Sequence, residues 1–152
     1  MGIICIKRVP SNCRFQNSTS TRFVSTSNPV FHMEFDRFKP GWIIYTDFYA
    51  LKTSDGTSTQ TIAGDTTEYG YKEGIASEAR FSDIGGFAQL TDYSVVVVDR
   101  AYHCLRHISR VSSFTSRFSG YCMRPGYKNG KPGFFKRPTS VAIDRMDNNQ
   151  LL

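Results

Sequence analysis

Short apolar runs, each closed by a turn signal, succeed one another from Val30 onward, and no long stretch has helical period. Val30-Phe31-His32-Met33-Glu34-Phe35 and Trp42-Ile43-Ile44-Tyr45 read as strands, and Tyr49 to Lys52 as a short one. Ser54-Asp55-Gly56 reads as a hairpin turn returning into Gln60-Thr61-Ile62-Ala63, since Asp-Gly supplies the positive φ such turns need. The order then restarts. Ile84 to Leu90, a turn at Thr91 to Ser94, Val95 to Val98, His103 to Ile108, a turn at Ser112-Ser113, and Ser116 to Ser119 follow in sequence. A third round opens at Thr139 to Ile143, turns at Asp147-Asn148-Asn149 and reaches Leu151-Leu152. Residues 9–29, rich in Ser, Thr and Asn, read as an irregular lead-in. The run Val95–Val98 carries the most information. A strand with one wet face alternates apolar and polar residues, so four consecutive valines need cover on both faces.

The chain also repeats itself. Gly70-Tyr71-Lys72-Glu73-Gly74 recurs 56 residues later as Gly126-Tyr127-Lys128-Asn129-Gly130, and each copy is followed by an aromatic step and an apolar segment. Such a period indicates an array of similar units. Four short antiparallel strands per unit, with inner strands packed between neighbours, is the pattern of a propeller blade. The expected fold is therefore all-β: an incomplete β-propeller of about two to three four-stranded antiparallel blades. The boundaries are a lead-in at 1–29, a partial blade at 30–64, a complete blade at 65–120 and the start of a third at 121–152. A third blade stopping at Leu152 is expected to leave an unpaired edge that associates with other chains.

These residues resemble the NHL repeat family of six-bladed, TolB-like propellers. Lys72-Glu73-Gly74 and Lys128-Asn129-Gly130 stand at that family's turn, without its Asp, and Ala79-Arg80-Phe81 at its aromatic step. Pro138-Thr139-Ser140-Val141-Ala142-Ile143-Asp144 is similar to its first strand, and Val97-Val98-Asp99 to the end of its second. Tyr102-His103-Cys104-Leu105-Arg106-His107-Ile108 is similar to its third, with Tyr102 in place of Asn. Thr61-Ile62-Ala63-Gly64 and Arg117-Phe118-Ser119-Gly120 resemble its closing strand. The likeness runs over roughly 40–152 and is most specific over 61–120. It implies a propeller, and functions spanning protein binding, RNA binding and, in the related amidating lyases, zinc-dependent chemistry.

Composition changes this picture little. At 39% hydrophobic and 14% aromatic the chain is globular, and no apolar run is long enough for a membrane-spanning helix. Met1 to Arg8 does not read as a signal peptide, because its apolar stretch is short and its basic residues come last. Charge is uneven. Residues 1–99 hold 9 Lys and Arg against 11 Asp and Glu, and residues 100–152 hold 10 against 2. A basic half favours an anionic partner, or is a solvated surface.

Five constellations could carry chemistry. Cys104 and Cys122 have residue 113 as their midpoint, inside the Ser112-Ser113 turn. A hairpin centred there sets them opposite each other, with Cβ atoms about 4.5–5.5 Å apart. They read either as a disulfide in an oxidising compartment or as two buried thiols in a cytosolic protein. Cys5 and Cys13 could pair too, but nothing fixes their geometry. Asn17-Ser18-Thr19 is an N-glycosylation sequon, with Asn17 the acceptor. His103, Cys104 and His107 invite a zinc reading. On a strand, however, His103 and His107 share a face and Cys104 points away, so a structural histidine is the plainer reading. Asp47 and Asp99 fall at equivalent strand ends, which suits turn hydrogen-bonding more than acid–base work. Finally, Arg124, Lys128, Lys131, Lys136 and Arg137 are interleaved with Tyr127, Phe134 and Phe135. That pattern could meet an anionic polymer, or be blade core and inter-blade loop.

The expected function is a non-enzymatic binding module for a protein or glycan in an extracellular or secreted setting, with no cofactor. A cytosolic RNA-binding propeller is the alternative, and a zinc-dependent amidating-lyase-like enzyme the second alternative.

Overall fold

The structure is a computed structural model and describes residues 2–4, 22–26, 28–144 and 150–151. Its strands in chain order are β1 (Gly2–Ile4), β2 (Arg22–Ser25), β3 (Met33–Phe35), β4 (Ile43–Asp47), β5 (Ala50–Ser54), β6 (Thr59–Gly64), β7 (Gly74–Ile75), β8 (Ile84–Gln89), β9 (Ser94–Asp99), β10 (Cys104–Ser109), β11 (Phe114–Ser119), β12 (Ile143–Asp144) and β13 (Gln150–Leu151). Among the described residues one 3₁₀ turn lies at Ala76–Glu78. The fold is all-β. Strands β3-β4-β5-β6 form one antiparallel sheet in sequential order, and β8-β9-β10-β11 form a second. These are propeller-like blades, each a meander closed by short turns.

Three features differ from the sequence expectation. The second sheet has a fifth strand, because β7 pairs with the outer edge of β11. Strand β3 begins at Met33, since the backbone N–H groups of Phe31 and His32 donate to the Thr46 hydroxyl instead of to a ladder. Within the segment read as an irregular lead-in, β1 and β2 pair antiparallel. The turn expected at Asp147 to Asn149 lies outside the described residues, as do Asn17, Cys5 and Cys13.

Both blades have doubly covered inner strands. All six residues of β9 and all five of β4 are buried. Alternation sorts them between cores. Val95 and Val97 join Ile44, Leu51, Ala63, Phe81, Phe87 and Ile108 in the core between the two blades. Val96 and Val98 face the other way, into a cluster with Ala88, Leu105 and Val141 that Phe135 and Ile143 flank. On the far side of the first blade, Ile43 and Tyr45 pack with Val30 and Met33. Each buried valine is worth about 1.5–3 kcal/mol, so an unbroken apolar run is stable only with a neighbour on each side.

The sequence repeat is a structural repeat. Gly70 N–H donates to Phe81 carbonyl at 3.0 Å, and Gly126 N–H to Phe135 carbonyl at 3.0 Å. Lys72 then bridges Arg80, and Lys128 bridges Phe134. Gly64 (φ 93°) ends β6 with the ring of Phe81 over it, and Gly120 (φ 83°) follows β11 with the ring of Phe135 over it. A side chain at either glycine would meet that ring, so the small residue sets how closely one unit seats on the next.

Candidate functional site

Cys104 opens β10 and is joined to Cys122 by a disulfide, with Cα atoms 5.0 Å apart. The two cysteines do not face each other across the hairpin, as the midpoint argument expected. Arg106 pairs with Arg117 and Ile108 with Thr115, and a bulge intervenes before Leu105 pairs with Ser119. This register centres the hairpin nearer its start, so Cys122 lies beyond the end of β11. Gly120, with its positive φ, turns the chain back, and Met123 N–H donates to the Tyr102 carbonyl at 2.7 Å. The disulfide therefore fastens the root of the following loop to the base of β10.

That loop, residues 121–138, folds on itself through the Gly126–Phe135 and Lys128–Phe134 hydrogen bonds. Lys131 sits at its tip, next to Pro132. Arg124, Lys128, Lys131, Lys136 and Arg137 are all exposed, and none is among the ion pairs of the described residues. Lys136 lies 5.8 Å from the Tyr127 ring. Tyr121 packs against Phe134 at 4.8 Å, and the Arg117 guanidinium lies 5.7 Å from the Tyr121 ring. The loop is thus one connected surface. Arg137 contributes through its backbone, donating its N–H to His103 Nδ1 at 3.1 Å.

The histidines do not converge. His103 precedes β10 with φ 61° and is held by a backbone bond to Arg100, so it does not share a strand face with His107. His107 stacks with Phe118. Cys104 is committed to the disulfide. No group of three or more His, Cys, Asp or Glu among the described residues is arranged to hold a metal ion.

The carboxylates lock blades. Asp99, wholly buried at the end of β9, accepts hydrogen bonds from the Ser82 N–H and hydroxyl and from Arg106 at 3.4 Å. Burial pushes its carboxyl up to about 6, with the bonds from Ser82 and Arg106 acting against that rise. Arg106 is fully buried and also donates to the carbonyls of Lys72 (2.9 Å) and Arg80 (3.2 Å), between the rings of Tyr71 and Phe81. At the other end of the blade contact, Arg110 meets Asp36 bidentately at 2.9 and 2.7 Å. Burial works to raise Asp36, but the hydrogen bonds from Arg110 and Phe38 and the Arg110 charge hold it below the usual value. Beside them buried Gln89 donates to Glu34 and to the Phe35 carbonyl, and accepts from the Arg37 N–H. Arg106, Arg110 and Gln89 escaped the sequence reading. The one available signal was a cation set between Leu105 and Ile108, inside a strand.

No protein-family model matches the chain, and no curated protein does. Solved structures share its fold. An auxiliary nutrient binding protein from Bacteroides thetaiotaomicron VPI-5482 is 16% identical, with a TM-score of 0.67 over 84% of this chain and 35% of its own. A putative phosphatase from the same organism is 17% identical, with a TM-score of 0.65 over 86% of this chain and 34% of its own. An auxiliary nutrient binding protein from Bacteroides ovatus ATCC 8483 is 16% identical, with a TM-score of 0.65 over 84% and 35%. The chain spans about a third of the length of these structures. At such identities the likeness is one of fold.

Proposed function

We propose that the chain is a non-enzymatic, NHL-type propeller module that binds a protein or glycan partner in an extracellular, oxidising setting. The observation that carries this reading is the Cys104–Cys122 disulfide, which ties an exposed, cation-rich loop to the buried start of strand β10. Disulfides persist in oxidising compartments, and one that anchors a loop holds a recognition surface in shape. Two of the structurally similar proteins carry the name nutrient binding protein, which agrees with a binding role.

The polar chemistry supports binding over catalysis. Asp36, Asp47, Asp83 and Asp99 each face a cation, and these pairs join strands and loops instead of lining an open site. The amidating-lyase reading loses its sequence basis, because Cys104 is spent on the bridge and His103 and His107 diverge. The cytosolic RNA-binding reading requires both cysteines to be free.

The test is a thiol count. Protein produced through a secretory pathway is alkylated without reduction and mapped by mass spectrometry. Recovery of Cys104 and Cys122 in one linked peptide is expected. Recovery of both as alkylated thiols would remove the compartment assignment.

A further inference from the structure

From residue 100 to residue 143 the chain contains no Asp or Glu. The cations in that span divide in two. Arg100, Arg106 and Arg110 turn toward acids of the earlier part of the chain, Asp83, Asp99 and Asp36. The other six, Arg117, Arg124, Lys128, Lys131, Lys136 and Arg137, are exposed, and none is among the ion pairs of the described residues. Folding has therefore paired three cations of this span with acids and left the remainder on one loop and the adjoining strand. The contacts Arg117–Tyr121–Phe134–Lys128 tie the strand cation to the loop, and Lys136 beside the Tyr127 ring joins the loop's two limbs. Such a field concentrates a ligand bearing repeated negative groups.

The disulfide, more than the aromatic rings, decides which polyanion. Proteins that hold single-stranded nucleic acid offer bare ring faces on which bases stack. Here Tyr121 is engaged by the protein itself, whereas Tyr127 is 83% exposed. Tyr121 lies between Phe134 and the Arg117 guanidinium, and Tyr127 has Lys136 beside its ring. The surface thus offers spaced charges around one strongly exposed ring, Tyr127. A polysulfated glycan needs only the charges and belongs to the compartment in which the Cys104–Cys122 bridge persists. We propose that loop 121–138, together with Arg117, is a binding surface for a polysulfated glycan. This rests on the extracellular binding reading above and names its ligand class.

The test uses the full chain and a heparin-derived oligosaccharide of defined length, titrated calorimetrically at several salt concentrations. The expected result is binding whose log K falls linearly with log salt. In the triple variant Lys128→Gln, Lys131→Gln, Lys136→Gln, affinity should fall about tenfold or more, with a shallower salt slope. Lys72→Gln, an exposed lysine elsewhere, should bind as the parent does. All three substituted lysines are exposed, so melting temperatures should match and exclude unfolding as the cause. Absence of binding at low salt, unchanged affinity in the triple variant, or tighter binding to single-stranded RNA of equal charge would overturn the proposal. Loss of glycan binding with the disulfide intact would sink the ligand class alone. Free thiols in the mapped protein would sink the compartment reading instead.

Discussion

Lys52 and Arg106 occupy the same place in successive blades. Lys52 lies opposite Tyr45, two positions before Asp47 ends β4, and Arg106 lies opposite Val97, two positions before Asp99 ends β9. Each reaches back to that aspartate, Lys52 at 2.7 Å and Arg106 at 3.4 Å. A second donor completes each lock: Asn28 for Asp47 and Ser82 for Asp99. The difference is solvent. The Lys52 side chain is 19% exposed and that of Arg106 is 0% exposed, because Tyr71 and Phe81 flank its guanidinium.

That difference predicts unequal costs. Arg106→Met strands a buried carboxylate and two carbonyls, and should destabilise the chain by about 3–5 kcal/mol in urea denaturation. Lys52→Met should cost about 1 kcal/mol or less, since Asp47 keeps its Asn28 partner and part of the lysine remains wet. Arg106→Lys should not rescue, because one ammonium cannot span Asp99 and both carbonyls. Equal costs at the two sites would refute the role given to burial.

Asp99 gives a pH signature. Its folded pKa of about 6 lies above the ordinary aspartate value of 3.8, so the native state holds the proton between those values. Its contribution to stability is therefore fully present below about 3.8 and is lost as pH rises through about 6. At about 1.4 kcal/mol per unit, the effect is on the order of 3 kcal/mol. Carbon-detected NMR of the Asp99 carboxyl should find a midpoint near 6. Asp99→Asn should remove this dependence, so that parent stability gains on the variant as pH falls from 7 to 4. Asp36, held below its usual value, acts oppositely and loses its contribution as pH falls through its lowered pKa.

Three glycines with similar positive φ separate backbone strain from crowding. At Gly41 (φ 82°) an added Cβ meets nothing within 4 Å. At Gly120 (φ 83°) it would lie 2.7 Å from a Phe135 ring carbon, and at Gly64 (φ 93°) it would collide with the Tyr49 carbonyl oxygen and the Phe81 ring. Gly41→Ala should cost about 1 kcal/mol, and Gly120→Ala and Gly64→Ala about 2–4 kcal/mol, with Gly64 worst. A flat series in thermal melts would mean that the ring-over-glycine seat does not govern packing between units.

Polar substitution within the valine run should report both cores. Val97→Asp puts a charge between the two blades, and Val96→Asp puts one against Val141 and Leu105. Each should cost several kcal/mol, because the burial is complete and the cation opposite Val97, Arg106, is already committed to Asp99 and two carbonyls. Tolerance of either substitution, seen as an unchanged urea midpoint, would show that one face of β9 is not enclosed.

Local pattern by itself determined the β class, the repeat, and the need of Val95–Val98 for two neighbours. These follow from side-chain period, from turn residues that fix φ, and from the cost of wetting four adjacent valines. The pairing of Cys104 with Cys122 was legible, but not its geometry. Hairpin register depends on a bulge between Leu105 and Arg106, and no residue-level rule places that bulge. The positions of Arg106, Gln89 and Arg110 were decided only in the tertiary structure. Each is a polar residue whose burial depends on partners 7 to 74 residues away, namely Asp99, Lys72, Phe35 and Asp36. A cation in a strand looks solvated until the fold brings it a carboxylate and a ring, and that meeting is a property of blade packing.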